Sequence, residues 1–220
     1  MTTRRAILIS ILMIPGAAIA MGDTGMELHE AAAANNANRL SGLIASGHDI
    51  GARDKQERTP LLIATRANAI DAARVLIAAG ADVNAKDRIA DTPFLYAGAE
   101  GRLEILKLIL ATGKANLKDT NRYGGNALIP ACHHGHPETV RELLKTEIDV
   151  DHVNRLGWTA LLETIILSDG GPTHQDIMAQ LIAAGADVNF ADLDGVTPLA
   201  HARQRNYTEM LEMLERAGAE

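Results

Sequence analysis

One short motif recurs along the chain of 220 residues at nearly constant spacing. A tripeptide similar to Thr-Pro-Leu begins at Thr59, Thr92, Asn126, Thr159 and Thr197. The intervals between these positions are 33, 34, 33 and 38 residues. A period of this length predicts a row of stacked units, each of which buries an apolar face against its neighbours. The repeat therefore sets the context in which every other feature of the sequence is interpreted.

The residue types at fixed places in the period predict two helices in each unit. The threonine can cap the free N–H groups at the start of the first helix, and the proline after it suits a first helical turn. In the unit that begins at Thr59, we expect Leu61, Ile63 and Ala64 to face the neighbouring unit. A second helix then carries apolar residues such as Leu76.

Glycine and asparagine mark the turns, because they tolerate positive φ better than other residues. Between the two helices of a unit we expect tight turns at Asn68, Gly101, Gly135 and Asn206. After the second helix we expect left-handed C-caps at Gly80, Gly113 and Gly185. Glu147 occupies one such position, where it should cost up to about 1 kcal/mol unless the local turn differs.

The sequence AGADVN, at residues 79–84 and 184–189, completes the motif. With the Thr-Pro-Leu tripeptides, it makes residues 27–220 similar to ankyrin-repeat proteins, of the kind that bacteria export. The resemblance implies an all-α solenoid of about six helix-turn-helix units with finger-like β-turns. The expected units are residues 27–58, 59–91, 92–125, 126–158, 159–196 and 197–220. Polar residues in the terminal units, such as Glu30 and Arg203, suit outer faces that meet water.

Composition agrees with this architecture and excludes some functions. Hydrophobic residues make up 47% of the chain and aromatic residues 3%, which favours closely packed helices over sheets. The net charge is −7 and there is no run of Lys or Arg, so nothing indicates nucleic-acid binding. The single cysteine excludes an intrachain disulfide.

Residues 1–20 have the pattern of a secretory signal peptide. A basic start containing Arg4 and Arg5 precedes the apolar run AILISILMI, and small residues follow up to Ala20. The run is too short to span a bilayer as a helix. We expect cleavage after Ala20 and a mature chain, residues 21–220, that is periplasmic and has no stable membrane anchor. The general and the twin-arginine export routes both remain open.

The sequence ACHHGH concentrates potential metal or haem ligands, namely Cys132, His133, His134 and His136. Within the repeat, Cys132 stands where a small buried residue is usual, and His136 lies beside the turn glycine. Adjacent helical residues point about 100° apart, so His133 and His134 should not chelate one ion easily. We therefore expect no metal site and no cofactor; a weak site formed by His133 and His136 is the alternative.

The finger turns provide the candidate partner-binding residues. The position after each turn Asx residue holds Arg88, Arg122 or Arg155 in the three central fingers, and the next position is apolar. Stacking should align these side chains, and Arg, Tyr and Trp are frequent in binding hot spots. The predicted partner-binding residues are Arg88, Ile89, Arg122, Tyr123, Arg155, Leu156 and Trp158. The alternative is that these are solvated tips with a partly packed Trp158.

The fourth interval is longer than the others, and its surplus falls in the sequence LSDGGPTHQD. Gly170, Gly171 and Pro172 predict a projecting loop there.

The resemblance implies a non-enzymatic protein–protein interaction module, and we expect a monomer with an unidentified protein partner. No nucleophile elbow, phosphate-binding glycine loop or metalloprotease helix motif is present in the sequence. A groove along the solenoid could hold a peptide. The alternative function is an accessory factor for a haem enzyme such as catalase, because some periplasmic relatives are associated with haem handling.

Overall fold

A computed structural model describes residues 26–220, and this part of the chain contains only α-helices and turns. The predicted all-α fold is confirmed. The helices, in chain order, are α1 Glu27–Ala33, α2 Ala37–Ala45, α3 Pro60–Arg66, α4 Ile70–Ala78, α5 Pro93–Ala99, α6 Leu103–Ala111, α7 Leu128–His133, α8 Pro137–Leu143, α9 Ala160–Ile166, α10 Pro172–Ala183, α11 Pro198–Arg205 and α12 Thr208–Arg216. The predicted leader, residues 1–20, lies outside the described residues. Between residues 26 and 220, no helix is long and apolar enough to cross a membrane.

The helices form two rows. The first helices of successive pairs contact one another in the order α1, α3, α5, α7, α9 and α11, and form an inner row. The second helices, α2 to α12, form the outer row in the same way. The third residue of the Thr-Pro-Leu-like tripeptide is apolar and buried in each inner helix from α3 to α11: Leu61, Phe94, Leu128, Leu161 and Leu199. Each period of the sequence therefore contributes one buried apolar residue at the same place to a core that continues from unit to unit.

Side-chain caps start the inner helices α3, α5, α7, α9 and α11, as predicted. The hydroxyl oxygens of the four motif threonines accept hydrogen bonds of 3.0–3.3 Å from the N–H groups three residues later. Asn126 replaces threonine with the same result, because its Oδ1 accepts from the backbone N–H groups of Leu128 and Ile129 at 3.1 and 3.3 Å. Its amide also donates to the Asp149 carbonyl at 2.9 Å. The asparagine thus caps α7 and also binds the connection between α8 and α9.

The seven predicted turn positions all have positive φ, from 53° to 91°. Glu147 does not have a positive φ, so the backbone strain expected for a non-glycine residue at this position does not arise. Its unit closes differently: α8 ends at Leu143, and residues 144–147 form a turn. The Thr146 hydroxyl donates to the Leu143 carbonyl at 2.6 Å and accepts from the Ile148 N–H at 3.3 Å.

The surplus residues of the longer unit do not form the projecting loop that the sequence predicted. Pro172 begins α10, which has 12 residues where α4 and α6 have nine, so part of the surplus is helical. The remaining connection, residues 167–171, is held against the last unit. The Tyr207 hydroxyl donates to the Ser168 carbonyl at 2.6 Å. The Tyr207 ring covers Gly170 so closely that a Cβ there would lie 2.6 Å from ring carbons.

This contact predicts different costs for alanine at two glycines that share a left-handed backbone. Gly170 has φ +71° and Gly195 has φ +76°, but no atom lies within 4 Å of a Cβ added at Gly195. Gly195→Ala should cost about 1–2 kcal/mol from backbone strain alone. Gly170→Ala should cost at least about 1 kcal/mol more, because the Tyr207 ring must also move. Urea unfolding measures both, and equal losses would contradict the packing of Tyr207 on this loop.

Candidate functional site

The finger turns between helix pairs share one hydrogen-bond pattern. In each finger an Asx Oδ1 accepts from the backbone N–H groups two and four residues later, at 2.8–3.1 Å. The backbone N–H of the same Asx residue donates to the carbonyl four residues later. The five residues are Asp54, Asp87, Asn121, Asn154 and Asp192. Because the pattern is the same in each, the fingers present equivalent positions to their neighbours.

Direct hydrogen bonds connect some neighbouring fingers. The Arg88 N–H donates to the Gln56 carbonyl at 3.1 Å, and the Arg155 N–H donates to the Tyr123 carbonyl at 3.0 Å. Arg155 Nη1 also donates to the Arg122 carbonyl at 2.7 Å. These bonds set the register in which the finger side chains are aligned.

The fingers and the inner helices enclose a groove of about 560 Å³. Of the seven predicted partner-binding residues, four line it: Ile89, Arg122, Tyr123 and Leu156. Three of these four are apolar and exposed: Ile89 is 44% exposed, Tyr123 57% and Leu156 52%. The structure therefore brings one apolar residue from each of three consecutive fingers to the same cleft.

The other three predicted residues lie outside this groove. Arg88 Nε is 3.5 Å from Glu57 Oε1 on the preceding finger. The Arg155 guanidinium donates its hydrogen bond to the Arg122 carbonyl of the preceding finger. Trp158 is partly buried, and its carbonyl accepts from the Asn154 N–H at 3.0 Å within its own finger.

At one end of the groove, Arg66 forms an ion pair with Asp91, and both Arg66 and Arg122 lie over aromatic rings. Arg66 Nη1 is 3.5 Å from Asp91 Oδ2, and its guanidinium lies 4.5 Å above the centre of the Tyr96 ring. The Arg122 guanidinium lies 4.7 Å above the Tyr123 ring. Burial, and then the charge of Asp87, raise the pKa of Asp91, while Arg122 and Arg66 partly offset this. The positive charges at this end are thus compensated.

The other end of the groove contains a buried acid that the sequence interpretation did not identify. Glu163 lies on α9, and its side chain is 9% exposed. Its Oε1 accepts from Asn154 Nδ2 at 2.7 Å, whereas its Oε2 lies 3.8 Å from His133 Nδ1. Burial raises the pKa of Glu163 to about 7, against the smaller opposing effects of the Asn154 hydrogen bond and the charge of His134.

His133 does not supply a strong positive charge to Glu163. Burial, followed by the charges of His134 and His174, lowers the pKa of His133 below its ordinary value of 6.5. The imidazole is therefore mostly neutral at pH 7, when a substantial fraction of Glu163 is ionised.

A comparison within the repeat shows how Glu163 could have been found. It stands four residues after the motif threonine, where the last unit has His201. His201 Nε2 lies 2.7 Å from Oδ2 of Asp192, the Asx residue of its own finger. Both side chains therefore reach from the inner helix to the base of a finger. The sequence feature that could have indicated Glu163 is a charged residue at a repeat position that is occupied by Ile63 and Pro130 in two other units.

The Cys132 and histidine cluster lies at the edge of this region. Cys132 is fully buried, which raises its pKa. The rings of His133 and His134 lie 4.9 Å apart and are tilted by 52° to each other. His134 Nδ1 donates to the Ala99 carbonyl at 2.6 Å. Residues 26–220 contain no group of three or more His, Cys, Asp or Glu side chains arranged to hold a metal ion. That the cluster, including His133 and His136, binds no metal stays a prediction.

The raised pKa of Glu163 predicts a specific pH dependence of stability. Between the ordinary value of 4.5 and about 7, the folded protein binds more protons at this site than the unfolded chain does. The stability that this group contributes is thus present below pH 4.5 and falls as the pH rises to about 7. Glu163→Gln removes this loss, so its stability relative to the unsubstituted protein should rise by at most about 3 kcal/mol between pH 4 and pH 8.

Urea unfolding at several pH values measures this difference. Subtracting the two profiles removes the contributions of groups that do not interact with Glu163. The exposed Glu104 on α6 offers a matched control, and Glu104→Gln should show little pH-dependent difference. A Glu163→Gln difference that stays constant from pH 4 to pH 8 would contradict the raised pKa.

The chain matches the family of ankyrin repeats (three copies) over residues 28–121, 94–190 and 131–220. It is 46% identical over 107 residues to the ankyrin repeat protein YahD of Escherichia coli K12, and the match covers 48% of this chain and 53% of YahD. The chain thus spans about half the length of that curated relative.

Two solved structures resemble the chain over most of its length. An ankyrin repeat domain from Acinetobacter baumannii AYE has a TM-score of 0.86 and 54% identity, covering 89% of this chain and 99% of that one. The ankyrin repeat domain of Bcl-3, a member of the IκB protein family, has a TM-score of 0.80 and 26% identity, covering 88% and 86%. The repeated caps, the two helix rows and these matches together show that the chain belongs to the ankyrin repeat family.

Proposed function

We propose that the protein is a non-enzymatic interaction module that binds a protein partner along its groove and finger tips. The observation that carries the proposal is the row of exposed apolar side chains, Ile89, Tyr123 and Leu156, on three consecutive fingers of one groove. The ankyrin repeat family implies protein interaction, and this row is where the chain offers apolar surface for it.

The composition of the groove supports binding of a protein. Leu167, which is 41% exposed, also lines the groove and adds to the apolar surface formed by the finger residues. Contiguous exposed apolar surface bordered by polar groups is typical of interaction sites. Arg122 lines the groove, and we place Arg88, Arg155 and Trp158 at the margin of the bound partner. There, charged side chains orient a partner more than they add affinity.

We place this function in the bacterial periplasm, with residues 1–20 as a cleaved signal peptide. The support is the sequence of the leader: two arginines, a short apolar run and small residues ending at Ala20. The mature chain would have 19 basic and 28 acidic residues, and would act as a monomer without a cofactor.

We do not propose the alternative of an accessory factor for a haem enzyme such as catalase. It depends on the histidine run, in which one ring is engaged in a hydrogen bond to the backbone of the preceding unit. His134 binds the Ala99 carbonyl, and the His133 carbonyl accepts from His174 Nε2 at 3.2 Å. No observation on the described residues favours haem.

The binding site predicts unequal effects of alanine at exposed apolar residues of the fingers. Once a partner is identified by photo-crosslinking from position 123 in living cells, Tyr123→Ala and Leu156→Ala should each weaken its binding by about 2 kcal/mol. Leu193 is a matched control, because it is 80% exposed on the last finger but does not line the groove. Leu193→Ala should change the affinity little.

Isothermal titration calorimetry measures these affinities, and circular dichroism checks that each variant is folded. If Leu193→Ala weakened binding as much as Tyr123→Ala, the partner would occupy the fingertips generally and not this groove.

The export proposal predicts the N-terminus of the mature protein. N-terminal sequencing of the protein from a periplasmic fraction should begin at Met21, because the signal ends with Ala18, Ile19 and Ala20. Replacing Ala18 and Ala20 with bulky residues should block this cleavage and leave a longer precursor. Recovery of protein with an intact Met1 from the soluble cytosol would refute the proposal.

A further inference from the structure

Glu163 gives the groove a chemical preference as well as a shape. We propose that the groove binds an extended segment of a partner protein, which places a Lys or Arg side chain against Glu163 and apolar side chains against Ile89, Tyr123 and Leu156. This inference rests on the proposed function and specifies the partner that the groove would recognise.

The carboxylate of Glu163 is held by one hydrogen bond and lies at the groove. More than nine-tenths of the side chain is buried, and Glu163 lines the groove. Oε1 is occupied by the Asn154 amide at 2.7 Å, whereas Oε2 has no hydrogen-bond donor within 3.5 Å among the described residues. Because burial leaves little other access, Oε2 is available to a ligand from the groove.

Among residues 26–220, no Arg or Lys forms an ion pair with Glu163, and the charge of His134 only partly offsets the effect of burial on its pKa. His133 is the one group of residues 26–220 within ion-pair distance, at 3.8 Å, and burial keeps it mostly neutral at pH 7. On the neighbouring helix α11, His201 binds Asp192, and Arg205 donates to the Ile166 carbonyl at 3.3 Å. Arg66 lies at the end of α3, with α5 and α7 between it and α9.

A positively charged side chain from a partner supplies what this site lacks. A buried carboxylate without a partner is unfavourable, and a hydrogen-bonded cation is the group that stabilises it best. An anionic ligand would instead be repelled by ionised Glu163. At the opposite end of the groove, Arg66 and Arg122 are already matched by Asp91 and by aromatic rings.

The rest of the groove suits the neighbours of that cation in an extended chain. Side chains on one face of an extended segment recur at every second residue, and those on the face toward the protein can contact the apolar residues along the groove. A cavity of about 560 Å³ is within the range that encloses ligands of modest size, so it accommodates a few residues and not a folded domain.

Selection from a displayed library of random nonapeptides tests this inference. The same library is selected against the purified protein, Glu163→Gln and Glu104→Gln, and the bound peptides are sequenced. Against the unsubstituted protein and Glu104→Gln, Lys and Arg should be enriched at least tenfold at one position, near apolar residues. Against Glu163→Gln, the basic enrichment should fall below twofold while the apolar enrichment remains.

A second measurement does not depend on how Glu163→Gln folds. In the best selected peptide, the basic residue is replaced by citrulline if it is arginine, or by norleucine if it is lysine. The dissociation constant for the unsubstituted protein, from isothermal titration calorimetry, should rise at least tenfold. For folded Glu163→Gln, the same replacement should change it less than threefold, because the carboxylate that recognises the charge is absent.

Three outcomes would overturn the inference: enrichment of acidic residues, basic enrichment that persists in Glu163→Gln, or no peptide selected above background. They can be separated from failure of the proposed function, which is judged by crosslinking from position 123 and by the Tyr123 and Leu156 variants. If crosslinking captures a partner at the groove but no peptide is selected, the groove recognises a folded surface. In that case only the peptide inference fails.

Discussion

The burial of one apolar residue per repeat, the third residue of the Thr-Pro-Leu-like tripeptide, is the interaction on which the rest of the structure depends. Each of these side chains, such as Leu61 and Phe94, is buried on an inner helix, and each inner helix packs against its neighbours in the row. Successive inner helices must therefore lie side by side, and the fingers that connect the units follow the same spacing. In a solenoid of this kind, stability resides in the interfaces between neighbours.

The fingers convert this spacing into an aligned surface. An Asx side chain satisfies two backbone N–H groups in every finger, so the residues after it occupy the same place each time. The apolar side chains Ile89, Tyr123 and Leu156 occupy the second position after the Asx residue of their fingers, and all three are exposed. Their alignment results from the same hydrogen bonds that stabilise the turns.

The contact between an inner helix and the base of a finger has two forms in this chain. In the last unit His201 and Asp192 bind each other at 2.7 Å, and both are largely buried. In the preceding unit Glu163 meets Asn154, which offers an amide in place of a full charge. An amide satisfies one carboxylate oxygen but does not neutralise the group. The same position in the repeat therefore forms a His–Asp pair that stabilises the fold in the last unit. In the preceding unit it leaves one carboxylate oxygen of Glu163 without a hydrogen-bond donor among residues 26–220.

The sequence by itself determined the repeat, the all-α architecture, the capping residues and the left-handed turns, because these depend on contacts within one period. It also indicated Ile89, Tyr123 and Leu156 as a row, because they occupy equal positions in successive fingers. It predicted neither the helical extension at Pro172 nor the altered turn at Glu147, which depend on how one atypical unit fits against its neighbours.

Only the tertiary structure decided which predicted residues share a surface. Arg122 lines the groove, whereas Arg155 turns to bind its carbonyl, although the two occupy equivalent positions in the repeat. Glu163 became visible as a site only when burial and distances were known, since its raised pKa arises from burial by other units. Spacing along the chain defines which positions are equivalent; desolvation and pairing depend on neighbours distant in sequence, and these distinguish one equivalent position from another.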